Sequence, residues 1–315
     1  MEFRHKAMNA VYAETLNELI ENDANVYCLE ADLARASMSL PVVKDRHPEH
    51  YVNVGVCEAN MIGVAAGMAR EGKIPFCATF SSFASRRACD QIAISVAFAG
   101  NNVKIVGMEP GLTSGPNGGT HMSFEDIAIL RAIPGMHVYS PCDVFELRSM
   151  MRQMAGSQQY SYMQLLRPAV GVLFDESYEF VPGRLVRLTE GNDVTLISLG
   201  FLSHHAARAV EELAADGMSV DFFHCPCAKP LDADTLISSA RRTGAVVTVE
   251  SQNILGGLGS AVCEILSEEH PVRVRRLGVP DAFGEVATGD YLLDKHGFGV
   301  KHIVAACRRM RGATR

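Results

Sequence analysis

The sequence predicts an α/β fold of two domains, each with a mostly parallel sheet covered by helices. Short β-branched apolar runs alternate with helical patterns along the 315 residues. The runs are continuously apolar, as in strands that are buried on both faces. The alternation pauses between Pro168 and Asp193, in a stretch rich in Gly, Pro and acidic residues. We therefore expect a first domain at residues 1–180 and a smaller one at residues 181–315.

The first domain is expected to hold five strands and four helices. In chain order, the strand candidates are residues 26–29, 74–80, 103–108, 136–140 and 162–166. Helical patterns cover residues 58–70, 85–98, 124–132 and 143–155. Because strands and helices follow one another in turn, the strands are expected to run parallel.

The second domain repeats this alternation after a linker that has room for one strand or hairpin. Its strand candidates are residues 194–200, 220–223, 245–250 and 272–277, and one helix is expected at 259–268. Ser203 is expected to cap another helix, which runs to about Asp216 and is followed by Gly217.

Composition excludes several classes of protein. A net charge of −7 and a pI near 5.9 argue against nucleic acid as the partner. The chain has no apolar run of the roughly 18–20 residues that a membrane span needs, and Glu14 comes too early for a signal-peptide core. Nine cysteines without an export signal indicate a reducing compartment, and hence the cytoplasm.

Candidate functional residues follow the predicted strands, because ligands of open α/β sheets bind at the carboxyl ends of the strands. Asp32 lies just after the first strand, and a loop with several glycines, residues 109–121, follows the third. Glu58 begins a helix among small and apolar residues. A glutamate there either stabilises the helix dipole or serves chemistry, and composition alone favours the dipole.

Eight motifs in order resemble the C-terminal half of transketolase, the thiamine diphosphate enzyme that moves two-carbon units between sugars. The resemblance covers nearly the whole chain. The motifs are Gly55-Val56-Cys57-Glu58-Ala59-Asn60-Met61, Phe80-Ser81-Ser82-Phe83, Arg87-Ala88-Cys89-Asp90-Gln91-Ile92, Asn117-Gly118-Gly119-Thr120-His121, Ile133-Pro134-Gly135, Val249-Glu250-Ser251-Gln252, Gly256-Gly257-Leu258-Gly259-Ser260 and Leu277-Gly278-Val279-Pro280-Asp281.

The resemblance implies cofactor-binding roles in a pyrimidine-binding domain. Glu58 would hydrogen-bond a ring nitrogen of the aminopyrimidine as a protonated carboxyl, which favours the imino form that removes the thiazolium proton. Phe83 would stack on the aminopyrimidine with Phe80 beside it, although both also suit a core position. Asp32 would lie near the positive thiazolium, or it is simply a polar loop residue.

The resemblance also implies substrate contacts. His121 would face the substrate and stabilise charge on the reacting oxygen, and Arg167 would bind the substrate phosphate. The sequence departs from the family pattern at Asn117, where aspartate is common, and at Glu109 and Gln252, where histidines are common. Glu109 would repel a phosphate, so we expect a dedicated, non-standard sugar substrate.

The cofactor's diphosphate has no expected site in this chain. The family binds it through Mg²⁺ at a Gly-Asp-Gly motif in a separate PP domain, which this sequence lacks, and no residue here is expected to bind a metal. The resemblance therefore implies the C-terminal subunit of a split transketolase. An N-terminal subunit would supply the PP domain and hold the Mg²⁺, in an α2β2 heterotetramer.

Three other interpretations stay open. The β subunit of a 2-oxoacid dehydrogenase has the same domain plan and the same glutamate, whereas a non-catalytic partner would only have kept the fold. A bare nucleotide-binding Rossmann protein is disfavoured, because Gly256-Gly257-Leu258-Gly259 lacks the Gly-x-Gly-x-x-Gly fingerprint. A tight start of a helix explains those glycines better.

Overall fold

The computed structural model describes residues 6–33 and 39–311, and these form two β-sheets with helices packed on them. Residues 1–5, which belong to the stretch considered above as an export signal, lie outside the described residues. Within the described ranges, no helix has the length and apolar character that crossing a membrane requires.

The strands and helices alternate over most of the chain. The strands are β1 (Val26–Glu30), β2 (Tyr51–Asn53), β3 (Ile74–Phe80), β4 (Lys104–Met108), β5 (His137–Tyr139), β6 (Ser161–Leu165), β7 (Val186–Thr189), β8 (Val194–Leu199), β9 (Val220–Cys225), β10 (Cys227–Lys229), β11 (Ala245–Asn253) and β12 (Arg273–Val279). The α-helices are α1 (Met8–Asn22), α2 (Pro41–Arg46), α3 (Glu58–Arg70), α4 (Cys89–Gln91), α5 (Asp126–Ala132), α6 (Val144–Gly156), α7 (Leu202–Ala215), α8 (Ala233–Thr243), α9 (Leu258–Glu269), α10 (Gly289–His296) and α11 (Val300–Arg311).

Shorter helical segments complete the chain. Two π-helical segments, Phe83–Arg87 and Ile92–Phe98, flank α4. Two 3₁₀ segments, Pro48–His50 and Gly111–Asn117, precede β2 and follow β4.

The first sheet has seven strands in the order β10-β5-β6-β4-β3-β1-β2. Six of them are parallel, and β10 pairs antiparallel with β5. Every residue of the inner strands β3, β4 and β6 is buried. This confirms that the continuous apolar runs mark parallel strands covered on both faces.

The second sheet has five strands in the order β12-β11-β8-β9-β7. It is parallel except for β7, which pairs antiparallel with β9. Strand β7 is the strand expected in the linker. At the sheet edge its residues alternate between intermediate and exposed, so its pattern is weaker than that of the inner strands. The predicted α/β class with two sheets is confirmed.

One predicted helix cap is wrong. Helix α7 begins at Leu202 after Phe201, so Ser203 lies inside its first turn. The Ser203 hydroxyl lies 2.7 Å from Ser198 Oγ and 2.7 Å from His224 Nδ1. The serine therefore joins a buried polar network instead of capping the helix. The expected helix end holds, because Gly217 follows the C-cap residue of α7.

That polar network links the two sheets. Glu146 on α6 accepts hydrogen bonds from the Cys142 backbone N–H at 2.8 Å and from the Tyr178 hydroxyl at 2.7 Å. His224 on β9 lies 2.8 Å from the same carboxylate through Nε2. Glu146 and His224 are fully buried. Burial alone would raise the pKa of Glu146, but these partners outweigh it and hold that pKa below its ordinary value.

The glycines before α9 form a helix start and not a nucleotide loop. The carboxylate of Glu250, a residue within β11, accepts hydrogen bonds from the backbone N–H groups of Leu258 and Gly259 at 2.8 Å each. It thus occupies the place where a bound anion would sit at a helix N-terminus. Burial raises the pKa of Glu250 to about 7, although the two N–H groups lower it. The tight helix start expected from the sequence is confirmed.

Candidate functional site

The predicted site residues follow the carboxyl ends of neighbouring parallel strands. The strands concerned are neighbours in the first sheet, in the order β6-β4-β3-β1-β2. Each of these strands ends in, or is followed by, one candidate residue predicted from the sequence. These residues are Arg167, Glu109, Phe80, Asp32 and Glu58. A short insertion separates β2 from Glu58, which is the first residue of α3. The topology therefore gathers these residues along one edge, as open α/β sheets do for their ligand sites.

Glu58 is buried, with 2% of its surface exposed. Nη1 of Arg87 donates to both carboxylate oxygens, at 2.9 Å to Oε1 and 2.8 Å to Oε2. The Arg87 side chain itself is 48% exposed. Buried Glu58 thus has a cationic partner that the sequence did not predict.

Three rings pack beside this pair. The centroid of His121 lies 5.2 Å from Phe80 and 5.2 Å from Phe83, and the two phenylalanines lie 5.7 Å apart with edge-to-face geometry. Phe80 is buried, whereas Phe83 is partly exposed. The guanidinium carbon of Arg87 lies 4.1 Å from the Phe83 ring centroid, a cation–π distance. A continuous set of contacts therefore joins Glu58, Arg87, Phe83, His121 and Phe80.

Arg86 holds the loop that carries His121. Its Nη2 donates to the Thr120 carbonyl at 3.1 Å, and its Nε pairs with Glu125 at 2.9 Å. The Thr120 hydroxyl lies 3.0 Å from His121 Nδ1. Because Nδ1 of His121 lies next to the Thr120 hydroxyl, the other ring nitrogen, Nε2, faces away from that hydroxyl.

Residues 284–287, from the C-terminal half of the chain, contact the glycine-rich loop that carries His121. A Cβ on Gly115 would lie 2.4 Å from the Ala287 carbonyl oxygen, and one on Gly119 would lie 2.4 Å from the Gly284 carbonyl oxygen. Real side chains do not approach so closely, so both positions require glycine. The Ala287 N–H also donates to the Gly115 carbonyl at 3.3 Å. Residues 284–287 thus define the shape of the glycine-rich loop.

A second cluster lies at the ends of β4 and β6. Arg167 Nε lies 3.0 Å from Glu109 Oε1, and Asn117 Nδ2 donates to Glu109 Oε2 at 3.2 Å. Glu109 is buried and has a left-handed backbone, with φ of 51°. Burial raises the pKa of Glu109 above its ordinary value, although Arg167, Ser114 and His121 each lower it. Arg167, expected to bind an anion, therefore carries a carboxylate partner of its own.

Asp32 lies at one end of the arrangement. It has a left-handed φ of 61° and accepts a hydrogen bond from Asn53 Nδ2 at 3.1 Å. The side-chain oxygen of Asn53, Oδ1, in turn accepts the Gly55 N–H at 2.8 Å. Asn53 thus ties Asp32 to the segment that leads into Glu58. Gln252, the third departure from the family pattern, is buried at 1% exposure in β11.

Sequence reasoning assigned no role to Arg87. It stood inside a recognised motif, but its two contacts, one with a helix start and one with an aromatic ring, arise only in three dimensions. The available signal was the position of Glu58 among small and apolar residues. A glutamate that such residues bury is rarely left without a cation or hydrogen-bond donors.

Among the described residues, one group of side chains lies close enough to share a metal ion, namely Cys142, Glu146 and His224. Its carboxylate and imidazole are hydrogen-bonded to each other and to Tyr178 and Ser203. We assign this group the structural link between the sheets described above.

Comparisons with known families cover both halves of the chain. The family described as "Transketolase, pyrimidine binding domain" matches residues 4–171, and the family described as "Transketolase, C-terminal domain" matches residues 183–303.

Two relatives match along nearly their whole lengths. The chain is 46% identical to the 6-deoxy-6-sulfo-D-fructose transketolase subunit SqwH of Clostridium sp. (strain MSTE9), over 95% of this chain and 92% of the relative. It is 34% identical to an apulose-4-phosphate transketolase subunit of Phocaeicola vulgatus (strain ATCC 8482), over 91% of this chain and 93% of the relative.

A solved structure has the same fold. It is described as "Split gene transketolase, inactive beta4 tetramer" and is 36% identical to this chain. The TM-score is 0.90, and the match covers 99% of this chain and 100% of the other. The similarity therefore extends over both domains and their mutual arrangement.

Proposed function

This chain belongs to the transketolase family, and we propose that it is the C-terminal subunit of a split transketolase that transfers a two-carbon ketol unit from a ketose to an aldose. The observation that carries the proposal is the cluster at the carboxyl edge of the first sheet, where Phe83, Phe80 and His121 pack together and Arg87 joins Glu58 to Phe83. It unites a buried carboxyl, aromatic surface and an imidazole, the groups that a pyrimidine cofactor and a reacting sugar oxygen require.

The residues present fit the pyrimidine half of thiamine diphosphate. Glu58 offers a carboxyl at a buried position, and the partly exposed Phe83 offers a ring on which an aminopyrimidine can stack. Phe80 supports that ring, and Asp32 provides negative charge toward the thiazolium. When bound, thiamine diphosphate supplies the nucleophilic carbon that accepts the two-carbon unit.

The residues present do not fit the diphosphate half. Among the described residues of this edge, the carboxylates of Glu30, Asp32, Glu58 and Glu109 are each bonded to donors of this chain, and a Mg²⁺–diphosphate group needs free oxygen ligands. We therefore place the diphosphate and Mg²⁺ on an N-terminal subunit with a PP domain. The assembly follows as an α2β2 heterotetramer.

An exposed apolar surface beside the site supports such a partner. Val56 is 67% exposed just before Glu58, and Val64 is 36% exposed on α3. Ile94 and Phe98, on the π-helical segment packed against α3, are 56% and 87% exposed. Large apolar groups clustered in this way are typical of surfaces that a partner covers.

The catalytic roles of the substrate residues are part of the proposal. His121 hydrogen-bonds the reacting oxygen of the sugar, and Asn117 and Arg167 contact the sugar further along. The division into residues 1–180 and 181–315 is likewise proposed. We also propose a cytoplasmic location. All nine cysteines are free thiols, as is typical of proteins in a reducing compartment.

We further propose that the substrate is a dedicated, non-standard sugar and not the pair xylulose 5-phosphate and ribose 5-phosphate. Glu109 pairs with Arg167 and accepts a hydrogen bond from Asn117. The cluster therefore attracts a dianionic phosphate less strongly than an unpaired arginine would. The two relatives described above are named for a sulfonated ketose and for apulose 4-phosphate. The name with a sulfonated ketose agrees with this interpretation of the cluster, whereas the name with apulose 4-phosphate supports a specialised sugar but not a weaker attraction for phosphate.

Reconstitution tests the proposed function. The isolated chain is expected to bind thiamine diphosphate weakly and to show no turnover, because the described residues of the site do not fit the diphosphate. Adding the N-terminal subunit is expected to restore cofactor binding and ketol transfer, measured with a panel of phosphorylated, sulfonated and neutral ketoses. Full activity of the highly purified single chain would contradict the proposal. Decarboxylation of pyruvate by the complex would instead indicate a 2-oxoacid dehydrogenase.

A further inference from the structure

Arg87 occupies two positions that the proposed cofactor needs. Its Nη1 satisfies both oxygens of the Glu58 carboxylate, at 2.9 and 2.8 Å. Its guanidinium carbon lies 4.1 Å from the centroid of Phe83. One side chain therefore covers the carboxyl and one face of the ring at the same time.

Both contacts compete with a bound aminopyrimidine. The carboxyl of Glu58 has to meet a ring nitrogen of the cofactor, whereas Arg87 Nη1 already lies within hydrogen-bond distance of both of its oxygens. A ring face that stacks on a guanidinium cannot stack on a pyrimidine as well. A pyrimidine that binds this carboxyl and stacks on this face of the Phe83 ring therefore displaces Arg87.

We propose that Arg87 is a gate: in the free subunit it holds the pyrimidine site closed, and it leaves Glu58 and Phe83 when the pyrimidine binds. The inference rests on the proposed function, since it takes the pyrimidine site as given. Arg87 is a positioning residue here, because it controls the carboxyl and the ring through which the cofactor is held.

The local structure allows such a movement when the pyrimidine replaces Arg87 as the partner of buried Glu58. Arg87 is the last residue of the first π-helical segment, and its side chain is 48% exposed. A rotamer change can therefore carry the guanidinium into solvent without moving buried groups. Its neighbour Arg86 is fixed differently, by Thr120 and Glu125. Interrupted, π-helical turns of this kind are frequent at functional sites.

The test measures thiamine binding to the isolated full-length chain by calorimetry and by ligand-observed NMR up to millimolar concentration. Arg87→Ala is expected to tighten thiamine binding about tenfold, as follows if the open form is about one-tenth populated in the wild type. Arg70→Ala is the matched control, because Arg70 is an exposed arginine at the end of α3. It is expected to bind thiamine as the wild type does.

Arg87→Lys separates a gate from a merely structural residue. The ammonium still pairs with Glu58, so this variant is expected to return the affinity toward the wild-type value. The gate is wrong if Arg87→Ala binds thiamine no more tightly than the wild type, including the case in which no variant binds measurably. A tightening by Arg87→Lys equal to that by Arg87→Ala would also overturn it.

The two proposals fail in different ways. If the wild-type complex transfers ketol units and Arg87→Ala fails to tighten thiamine binding, only the gate is wrong. If the wild-type complex shows no thiamine diphosphate-dependent transfer with any ketose, the proposed function is wrong, and the thiamine affinities of the variants still decide whether Arg87 closes the pocket.

Discussion

Glu109 and Arg167, which follow two neighbouring strands of the first sheet, form an ion pair with 3.0 Å between Oε1 and Nε. Asn117 binds the other carboxylate oxygen at 3.2 Å. The two departures from the family pattern in this loop are thus in contact with each other and with the expected anion ligand. They act as one unit, and changing one of them alone is expected to disturb the others.

The double variant Glu109→His with Asn117→Asp is expected to raise kcat/KM for xylulose 5-phosphate with ribose 5-phosphate in the complex. The histidine removes the carboxylate that neutralises Arg167, and it gives the new aspartate an uncharged or cationic neighbour. Asn117→Asp alone is expected to lower kcat/KM for every substrate, because it sets two carboxylates within about 3.2 Å of each other. Steady-state kinetics of the wild type, the single and the double variants provide the comparison.

This prediction has a clear contrary result. If the wild-type complex already uses the pentose phosphate pair as well as it uses any other sugar, Glu109 and Asn117 do not select the substrate. Additive effects of the two substitutions would separately contradict the view that the residues form one unit.

Glu58→Gln is expected to lower the kcat of the complex by several orders of magnitude, with the fold intact. The amide cannot donate a proton as a carboxyl does, and losing such an interaction costs about 3–4 kcal/mol or more. Glu49→Gln is the control, since the Glu49 side chain is 66% exposed. Turnover and thermal unfolding are measured for both, and wild-type turnover in Glu58→Gln would remove Glu58 from the mechanism.

Phe83→Ala is expected to raise the thiamine diphosphate concentration needed for half-maximal activity more than it lowers stability. The ring is partly exposed at the site, so its removal takes away a stacking surface and leaves no closed cavity. Phe80→Ala is the comparison, because Phe80 is 7% exposed and truncating a buried Phe costs about 3–5 kcal/mol. Equal losses of stability in the two variants would show that Phe83 is a core residue.

Glu146→Ala is expected to destabilise the folded chain by about 3–5 kcal/mol, because it leaves buried His224 and the Tyr178 hydroxyl without their partner. The pKa of Glu146 lies below its ordinary value of 4.5, so the folded state binds fewer protons than the unfolded state below that pH. The stabilisation is therefore complete above pH 4.5 and is lost as the pH falls below it. Urea unfolding between pH 3 and pH 7 measures this loss.

The control for this prediction is Glu49→Ala, an exposed glutamate whose removal is expected to change the unfolding free energy by less than about 0.5 kcal/mol. The acid-dependent loss of stability is expected to shrink in Glu146→Ala and to persist in the control. An unchanged pH profile in Glu146→Ala would mean that this carboxylate does not link the sheets energetically.

Gly119→Ala is expected to destabilise the chain by about 1–3 kcal/mol and to raise KM for the sugar. The new methyl group would lie 2.4 Å from the Gly284 carbonyl oxygen, so the loop that carries His121 has to move. Gly156→Ala, at the open end of α6, meets no atom within 4 Å and is expected to be neutral or slightly stabilising. Denaturant unfolding and steady-state kinetics distinguish the two variants.

The sequence predicted the elements whose own residues determine them. Strand β3 and helix α3 have the expected bounds, because a buried apolar run and a helical pattern are local signals. Strands β2 and β10, with three residues each, were missed, since they exist only through pairing with distant strands. Helix α1 was missed as well, although its buried face resembles those of the predicted helices.

The sequence proposes the candidate site as a set of residues but not as a set of contacts. Motifs located Glu58, Phe83 and His121, and the sheet order explains why they meet. The pair of Glu109 with Arg167 joins positions 58 residues apart in the chain, and the pair of Glu58 with Arg87 joins positions 29 apart. No local pattern encodes such pairings, because each depends on side-chain directions that tertiary packing decides.

The contact of Gly115 and Gly119 with residues 284–287 also bears on how such subunits can be recombined. A chimera that joins the first half of this chain to the second half of a relative brings a foreign segment against the loop that carries Asn117 and His121. The substrate preference of such a chimera then depends on the contact between its two halves as well as on the residues that touch the sugar. Engineering of new sugar specificity therefore has to treat residues 111–121 and 280–288 as a single module that is exchanged together.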